Sequence, residues 1–122
     1  MKSSSIRIFL CATLPLCAGA FAQQYPSKPV RIIVPYTPAG GVDIMGRLAA
    51  QKYGERYGVQ FIVENRAGGG TLIGTEAVAR AAPDGYTLLA SSGSPVVVGP
   101  HLYKLNFDVG RDLTPIAPMG RI

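Results

Sequence analysis

Past residue 22 the chain has no cysteine, it has no tryptophan anywhere, and His101 is its single histidine. Each absence removes an explanation. Cys11 and Cys17 are the two cysteines, and both fall in the leader described below, so neither a disulfide nor a thiolate-bound metal supports the mature chain. One histidine, with no cysteine partner and no acidic cluster at ligand spacing, leaves no metal centre to read. Lysine and arginine occur singly, without the clustered basic face that nucleic acid requires. The formal charge of +5 falls to +3 once Lys2 and Arg7 are removed, with ten basic and seven acidic side chains remaining. That balance is compatible with small anionic ligands and decides nothing by itself. The one long apolar stretch, Ile8 to Ala20, is too short for a comfortable membrane span.

That stretch reads instead as the middle of a signal peptide. Lys2 and Arg7 make the positive n-region, and Ala20-Phe21-Ala22 is a small-x-small cleavage site, so residues 1–22 are read as leader and Gln23 as the mature start. Leu10 and Leu16 precede the cysteines where a lipoprotein signal wants small residues, so lipidation is not expected. Residues 23–122 suffice for one small domain. They stop in Thr114 to Ile122, which reads as the start of another extended segment. The chain therefore reads as a fragment of a longer one.

What is present is a pair of glycine-rich turns, each between a short apolar run and a helical pattern. Val30 to Val34 is a β-branched strand leading into Pro35-Tyr36-Thr37-Pro38-Ala39-Gly40-Gly41-Val42-Asp43. Asp43 is placed as N-cap or first-turn acid of a helix running to Tyr57, with Gly58 as its C-terminal cap. Ile44 and Leu48, with Met45, Ala49 and Tyr53, are expected to form its apolar stripe, and Arg47, Gln51 and Glu55 its wet side. Phe61 to Glu64 is the second strand, leading into Asn65-Arg66-Ala67-Gly68-Gly69-Gly70-Thr71. A second helix is expected from Thr71 to about Ala82, since Pro83 cannot continue it. Asp84-Gly85 is a turn and Tyr86 to Ala90 a third strand. Val96 to Val98 fits helix or strand equally well.

This β-α-β-α-β order implies a parallel α/β sheet. Both turns would then lie side by side at the sheet's carboxyl edge, where open α/β sheets bind ligands. Free N–H groups and helix dipoles there favour a carboxylate or phosphate.

Nucleotide motifs fail on spacing. From Gly68 the dinucleotide pattern meets Ile73 at its sixth position, and Thr75 follows Gly74 where a phosphate loop needs lysine. Ser92 lies in Ser91-Ser92-Gly93-Ser94, not in the elbow that exposes a nucleophile. Ser91 and Ser92 read as hydroxyl donors or turn formers. Asp43 is explained by capping and an i, i+4 contact with Arg47 before ligand contact. Asn65 suits an Asx-turn within its own loop, and Tyr36 is equally a packed aromatic or a pocket wall.

Tyr25-Pro26-Ser27-Lys28-Pro29-Val30-Arg31, the Pro38-Ala39-Gly40-Gly41-x-Asp43 turn, Glu64-Asn65-Arg66-x-Gly68-x-Gly70 with Ile73-Gly74, and Ala82 to Leu89 occur here in one order. In this the chain resembles the periplasmic substrate-binding receptors of tripartite tricarboxylate transporters, often called the Bug family. The resemblance implies a two-lobed, type II-like periplasmic binding protein, cut before its second lobe. It implies a small carboxylic-acid ligand, no catalysis, no cofactor and no metal. The implied partners are membrane transporter subunits or, alternatively, a membrane sensor domain, and the implied location is the periplasm. A rival reading is an exported hydrolase-like enzyme using Ser92 and His101. The implied ligand contacts are Tyr36, Thr37, Ala39, Gly40, Gly41, Asp43, Asn65, Gly68, Gly70, Thr71, Ser91 and Ser92. Ala39 departs from the family's usual glycine, Ala67 stands where proline is common, and Thr71-Leu72 replaces smaller or amide residues.

Overall fold

The computed structural model describes residues 24–120. The expected signal peptide with its cleavage after Ala22, both cysteines, Arg121 and Ile122 lie outside the described residues. Three parallel strands form one sheet in the order β2-β1-β3: β1 is Val30–Val34, β2 is Phe61–Asn65 and β3 is Thr87–Leu89. The most β-branched run takes the centre, because a middle strand is buried on both faces. Val30, Ile33 and Val34 are fully buried and Ile32 nearly so. Val34 pairs with Asn65, and Ile33 with Leu89, so the three strands end together at one edge.

Helix α1, Gly41–Tyr57, connects β1 to β2, and α2, Leu72–Ala79, connects β2 to β3. The first has Gly40 as N-cap, which makes Asp43 a first-turn acid and not the cap, and ends at Gly58 in the left-handed conformation expected of it. The second ends three residues short of Ala82. Arg80 and Ala81 turn out of the helix, bonding back to Glu76 and Val78 respectively. This leaves room for the extended backbone favoured before Pro83. Strand β2 runs one residue further than expected, and β3 is shorter, lacking Tyr86 and Ala90.

The apolar stripe of α1 is corrected. Ile44 is 58% exposed and Leu48 48% exposed, while the buried positions are Asp43, Gly46 and Ala50. The helix lies on the sheet through its small residues. At Gly46 a Cβ would stand only 3.2 Å from Val34 Cγ2 and 3.6 Å from the Ala90 methyl. Bulky side chains on that face would lift the helix away, so the large apolar residues point elsewhere. The core that results is compact: Ile32, Val34, Ala50 and Ala90, with Tyr36, Val42, Phe61, Val63 and Leu88 packed against it.

After β3 the chain makes a π-helical turn, Ser94–Val98, and two short helices, α3 at Gly99–Leu102 and α4 at Val109–Asp112. The ambiguous Val96 to Val98 is therefore helical. Residues 113–120 carry no regular element, so the extended segment expected from Thr114 does not form a strand here. A strand needs an edge to pair with, and none receives it among the described residues. No helix among the described residues is long and apolar enough to cross a membrane.

Candidate functional site

The carboxyl edge of the sheet collects three loops. The first follows β1 and carries Tyr36, Thr37, Ala39, Gly40 and Gly41. The second starts from Asn65, the last residue of β2, and carries Gly68, Gly70 and Thr71. The third follows β3 and carries Ser91 and Ser92. Of the twelve residues named from sequence, Asn65 ends strand β2, and the others, Asp43 among them, lie on loops or first helical turns at the same edge.

The first loop is held by a buried carboxylate. Asp43, 2% exposed, accepts from the Ala39 N–H at 2.8 Å and from Arg47 Nε at 3.0 Å through Oδ2. Its Oδ1 accepts from Asn65 Nδ2 at 2.8 Å. Asp43 is the third helical residue, and it reaches back over the start of its own helix as acids in a capping box do. Gly40 itself, the N-cap, offers no side chain. The Arg47 bond, the Ala39 N–H and the Asn65 amide together hold the Asp43 carboxyl down at about 2.

Asn65 does not close an Asx-turn within its own loop, as sequence reading suggested. It bonds the opposite loop instead, through Asp43 Oδ1 and the Tyr36 carbonyl at 3.2 Å, while its own Oδ1 accepts from Arg47 Nη2 at 2.9 Å. The register that sets Val34 beside Asn65 makes this reach short. Arg47 was read only as an i, i+4 partner. Its second bond crosses between loops, and nothing in local spacing announces such a contact.

The second loop is held by backbone conformation. Gly68, Gly69, Gly70 and Thr71 have φ of 127°, 56°, 63° and 76°. Glycine enters this region freely, whereas a β-branched threonine there is an outlier. The Thr71 hydroxyl turns back onto the Gly70 carbonyl, and the Thr71 carbonyl accepts from the buried Thr75 hydroxyl at 2.9 Å. Gly74 then lets α2 settle against β1: a Cβ there would lie 2.7 Å from the Arg66 carbonyl and 2.9 Å from Pro35 Cβ.

The third loop is joined to the first by a 2.5 Å bond between the Tyr36 and Ser92 hydroxyls. Of the two readings that sequence left open for Tyr36, the packed aromatic is seen: its half-buried ring lies against the core while its hydroxyl bonds Ser92. The Ser92 hydroxyl also meets Ser94 Oγ at 3.3 Å. Its partners are tyrosine and serine, and His101 lies exposed on α3, so the residues of the hydrolase reading are not hydrogen-bonded to each other. The Ser91 Oγ is buried and has no partner among the described residues. A buried polar atom normally has one.

The edge is open. A hollow of about 270 Å³ lies at Gln24 to Ser27 with Arg56 and Tyr57, and one of about 330 Å³ at Pro100 to Gly110. Neither is lined by the glycine turns. No group of three or more metal-ligating side chains gathers among the described residues.

The arrangement can bind an anion. The first N–H groups of α1 have no partner within the helix, whereas the Leu72 N–H that opens α2 is taken by the Gly69 carbonyl. Both helices begin at this edge, and their dipoles point positive ends toward it.

Residues 45–122 match the family described as tripartite tricarboxylate transporter family receptor. Protein BugT of Bordetella pertussis is 42% identical over 119 residues, which is 96% of this chain and 36% of that protein. Among solved structures, R. palustris Rpa4515 with adipate is 33% identical, with a TM-score of 0.58 over 59% of this chain and 24% of that one. MatC from Rhodopseudomonas palustris with bound malate is 28% identical, with a TM-score of 0.63 over 75% of this chain and 31% of that one. The chain spans about a third of the length of the curated relatives it matches. It belongs to the tripartite tricarboxylate transporter receptor family, and BugD, a solved structure to which it is 43% identical with a TM-score of 0.51, is a periplasmic binding protein.

Proposed function

We propose that this chain forms the ligand edge of the first lobe of an exported solute-binding receptor. The receptor holds a small carboxylate ligand in the periplasm and delivers it to membrane transporter subunits. Residues 1–22 are its signal peptide and residues 23–122 the first part of lobe one, ending near the crossover to lobe two. The observation that carries this reading is the unpartnered Ser91 hydroxyl at the sheet edge where two helices begin. At that edge Asp43, Arg47 and Asn65 tie the first turn to β2, and Tyr36 ties it to Ser92. The malate and adipate bound by related proteins support a dicarboxylate as the ligand.

Backbone N–H groups at Gly40, Gly41, Gly68 and Gly70, with the hydroxyls of Thr37, Ser91 and Ser92, supply the donors, while the Thr71 hydroxyl is spent on the Gly70 carbonyl. Each bond to a carboxylate is worth about 1.5–3 kcal/mol. Three or four of them support binding near micromolar, about −8 kcal/mol, after the entropy of immobilising the ligand is subtracted. Asp43 and Asn65 act by position: their polar atoms are occupied in holding the loops, and a carboxylate facing the ligand would repel it. Ala39 contributes its backbone turn. Closure of a second lobe would exclude water and strengthen every bond.

Calorimetric titration of the full-length protein with malate, adipate and citrate tests this. Saturable binding of at least one acid, weakened tenfold or more by Ser91→Ala, is the expected result. Binding of none of them, or binding of one that Ser91→Ala and Ser92→Ala leave untouched, would contradict it. Residues 23–122 alone are expected to bind no more tightly than millimolar, since half a clamshell cannot close.

A further inference from the structure

Tyr103 was not among the residues that sequence marked, and the fold brings it to the second glycine turn. It follows α3, which sits over the start of α2: a Cβ at Gly99 would lie 3.4 Å from Leu72 Cδ2. The α-carbon of Gly70 faces the tyrosine ring edge, and a Cβ there would lie 3.2 Å from the Tyr103 hydroxyl and 3.5 Å from Cζ. The phenol thus rests over the one stretch of loop where three glycines in a row leave the backbone bare.

Tyr103 is 50% exposed, and its hydroxyl makes no hydrogen bond among the described residues. The hydroxyls of Tyr25, Tyr36 and Tyr86 are engaged, with the Gly85 carbonyl, Ser92 and Ser27 respectively. Those of Tyr53 and Tyr57, like that of Tyr103, make no hydrogen bond among the described residues, but they lie on α1, away from the glycine turns. A tyrosine with an apolar body packed and a free polar tip at a site rim is built to meet a second molecule.

We propose that Tyr103 is a specificity-determining residue of the ligand edge, its phenol donating a hydrogen bond to the bound carboxylate beside Gly70. This deepens the function proposed above and rests on it. The glycine at position 70 then has two physical reasons. Its φ of 63° suits glycine, and any Cβ would press on the phenol. Position 70 and position 103 are one unit, in which a bare α-carbon makes room for the hydroxyl that reads the ligand.

Tyr103→Phe keeps the ring and removes only the donor, so it separates recognition from packing. In the full-length protein, with malate and adipate as probes, it should weaken binding of at least one acid by about tenfold or more, as loss of a donor to a charged acceptor does. The unfolding temperature without ligand should not change. Gly70→Ala should weaken binding too, and the double variant should lose less than the two single losses combined, because the two changes disturb one contact. Unchanged affinity in Tyr103→Phe, while Ser91→Ala weakens binding, would overturn this inference and leave the site standing. Unchanged affinity in both variants would overturn the site itself.

Discussion

The two glycine turns sit on neighbouring strands and look alike in sequence, yet different forces hold them. The first is fixed by side chains: a buried carboxylate, a guanidinium and an amide in one hydrogen-bonded network. Its only left-handed residue is Ala39, at φ 67°. The second has four left-handed residues in succession, and the side-chain bonds at its end come from two threonines. One turn is therefore sensitive to charge and proton concentration, the other to the mere presence of a β-carbon. Glycine in a loop has two meanings, and the sequence alone does not tell them apart.

The sharpest way to break the second turn is Gly74→Ala. The new methyl would meet backbone at 2.7 Å and a proline ring at 2.9 Å, neither of which can swing aside. Overpacking of this kind costs about 1–3 kcal/mol, and the upper end is expected because both neighbours are rigid. Urea unfolding measures it. Gly68→Ala should cost about 1–3 kcal/mol through its backbone, since φ 127° with ψ 161° is a region essentially only glycine enters, while its close neighbour is the movable end of Ile73.

The first turn breaks with acid. The Asp43 carboxyl lies at about 2 in the folded protein against 3.8 for the free side chain. A depressed folded value means that the unfolded chain binds the proton first. The stability from Asp43 is thus complete above about pH 4 and is lost as pH falls toward 2. Asp112, held down to about 2 by Arg111 on α4, adds the same sign over the same window, and Glu55 and Glu64 are also lowered. Asp43→Asn should reduce stability at neutral pH and flatten part of the acid slope, while Asp112→Asn should flatten another part and leave the loops in place. Thermal unfolding from pH 7 to pH 2 reads both. An unaltered slope in Asp43→Asn would mean that the network does not hold the turn.

The parallel sheet, its three strands and the shared carboxyl edge at which the two glycine turns lie were legible in the sequence. Val30 to Val34 is β-branched and bounded by prolines, Gly58 caps a helix, and strands alternating with helices admit few topologies. The buried face of α1 was not legible, because apolar periodicity points to Ile44 and Leu48 while close packing selects Gly46 and Ala50. Helical spacing reports which residues share a face, and the distance to the sheet decides which face is used. Arg47 and Asn65 were seen as local partners. Their bonds between loops depend on strand register, which exists only after folding. Tyr103 carries no local pattern at all and meets Gly70 through tertiary structure alone.

The smallest effect sharpens the comparison. Ala39→Gly relieves a left-handed alanine, a gain of about 1–2 kcal/mol, and frees the unfolded chain, a loss of about 0.4–1 kcal/mol. The net should be a stabilisation of about 0–1.6 kcal/mol, with ligand affinity unchanged, because the residue 39 N–H from which Asp43 accepts remains.

The measurement closest to the central claim is backbone amide chemical-shift mapping of the full-length protein as malate or adipate is added. The account expects the largest shifts at Gly40, Gly41, Val42, Gly68, Gly70, Thr71, Ser91 and Ser92 together, saturating at one ligand concentration. Saturable binding that leaves the amides of both glycine turns in place would contradict it.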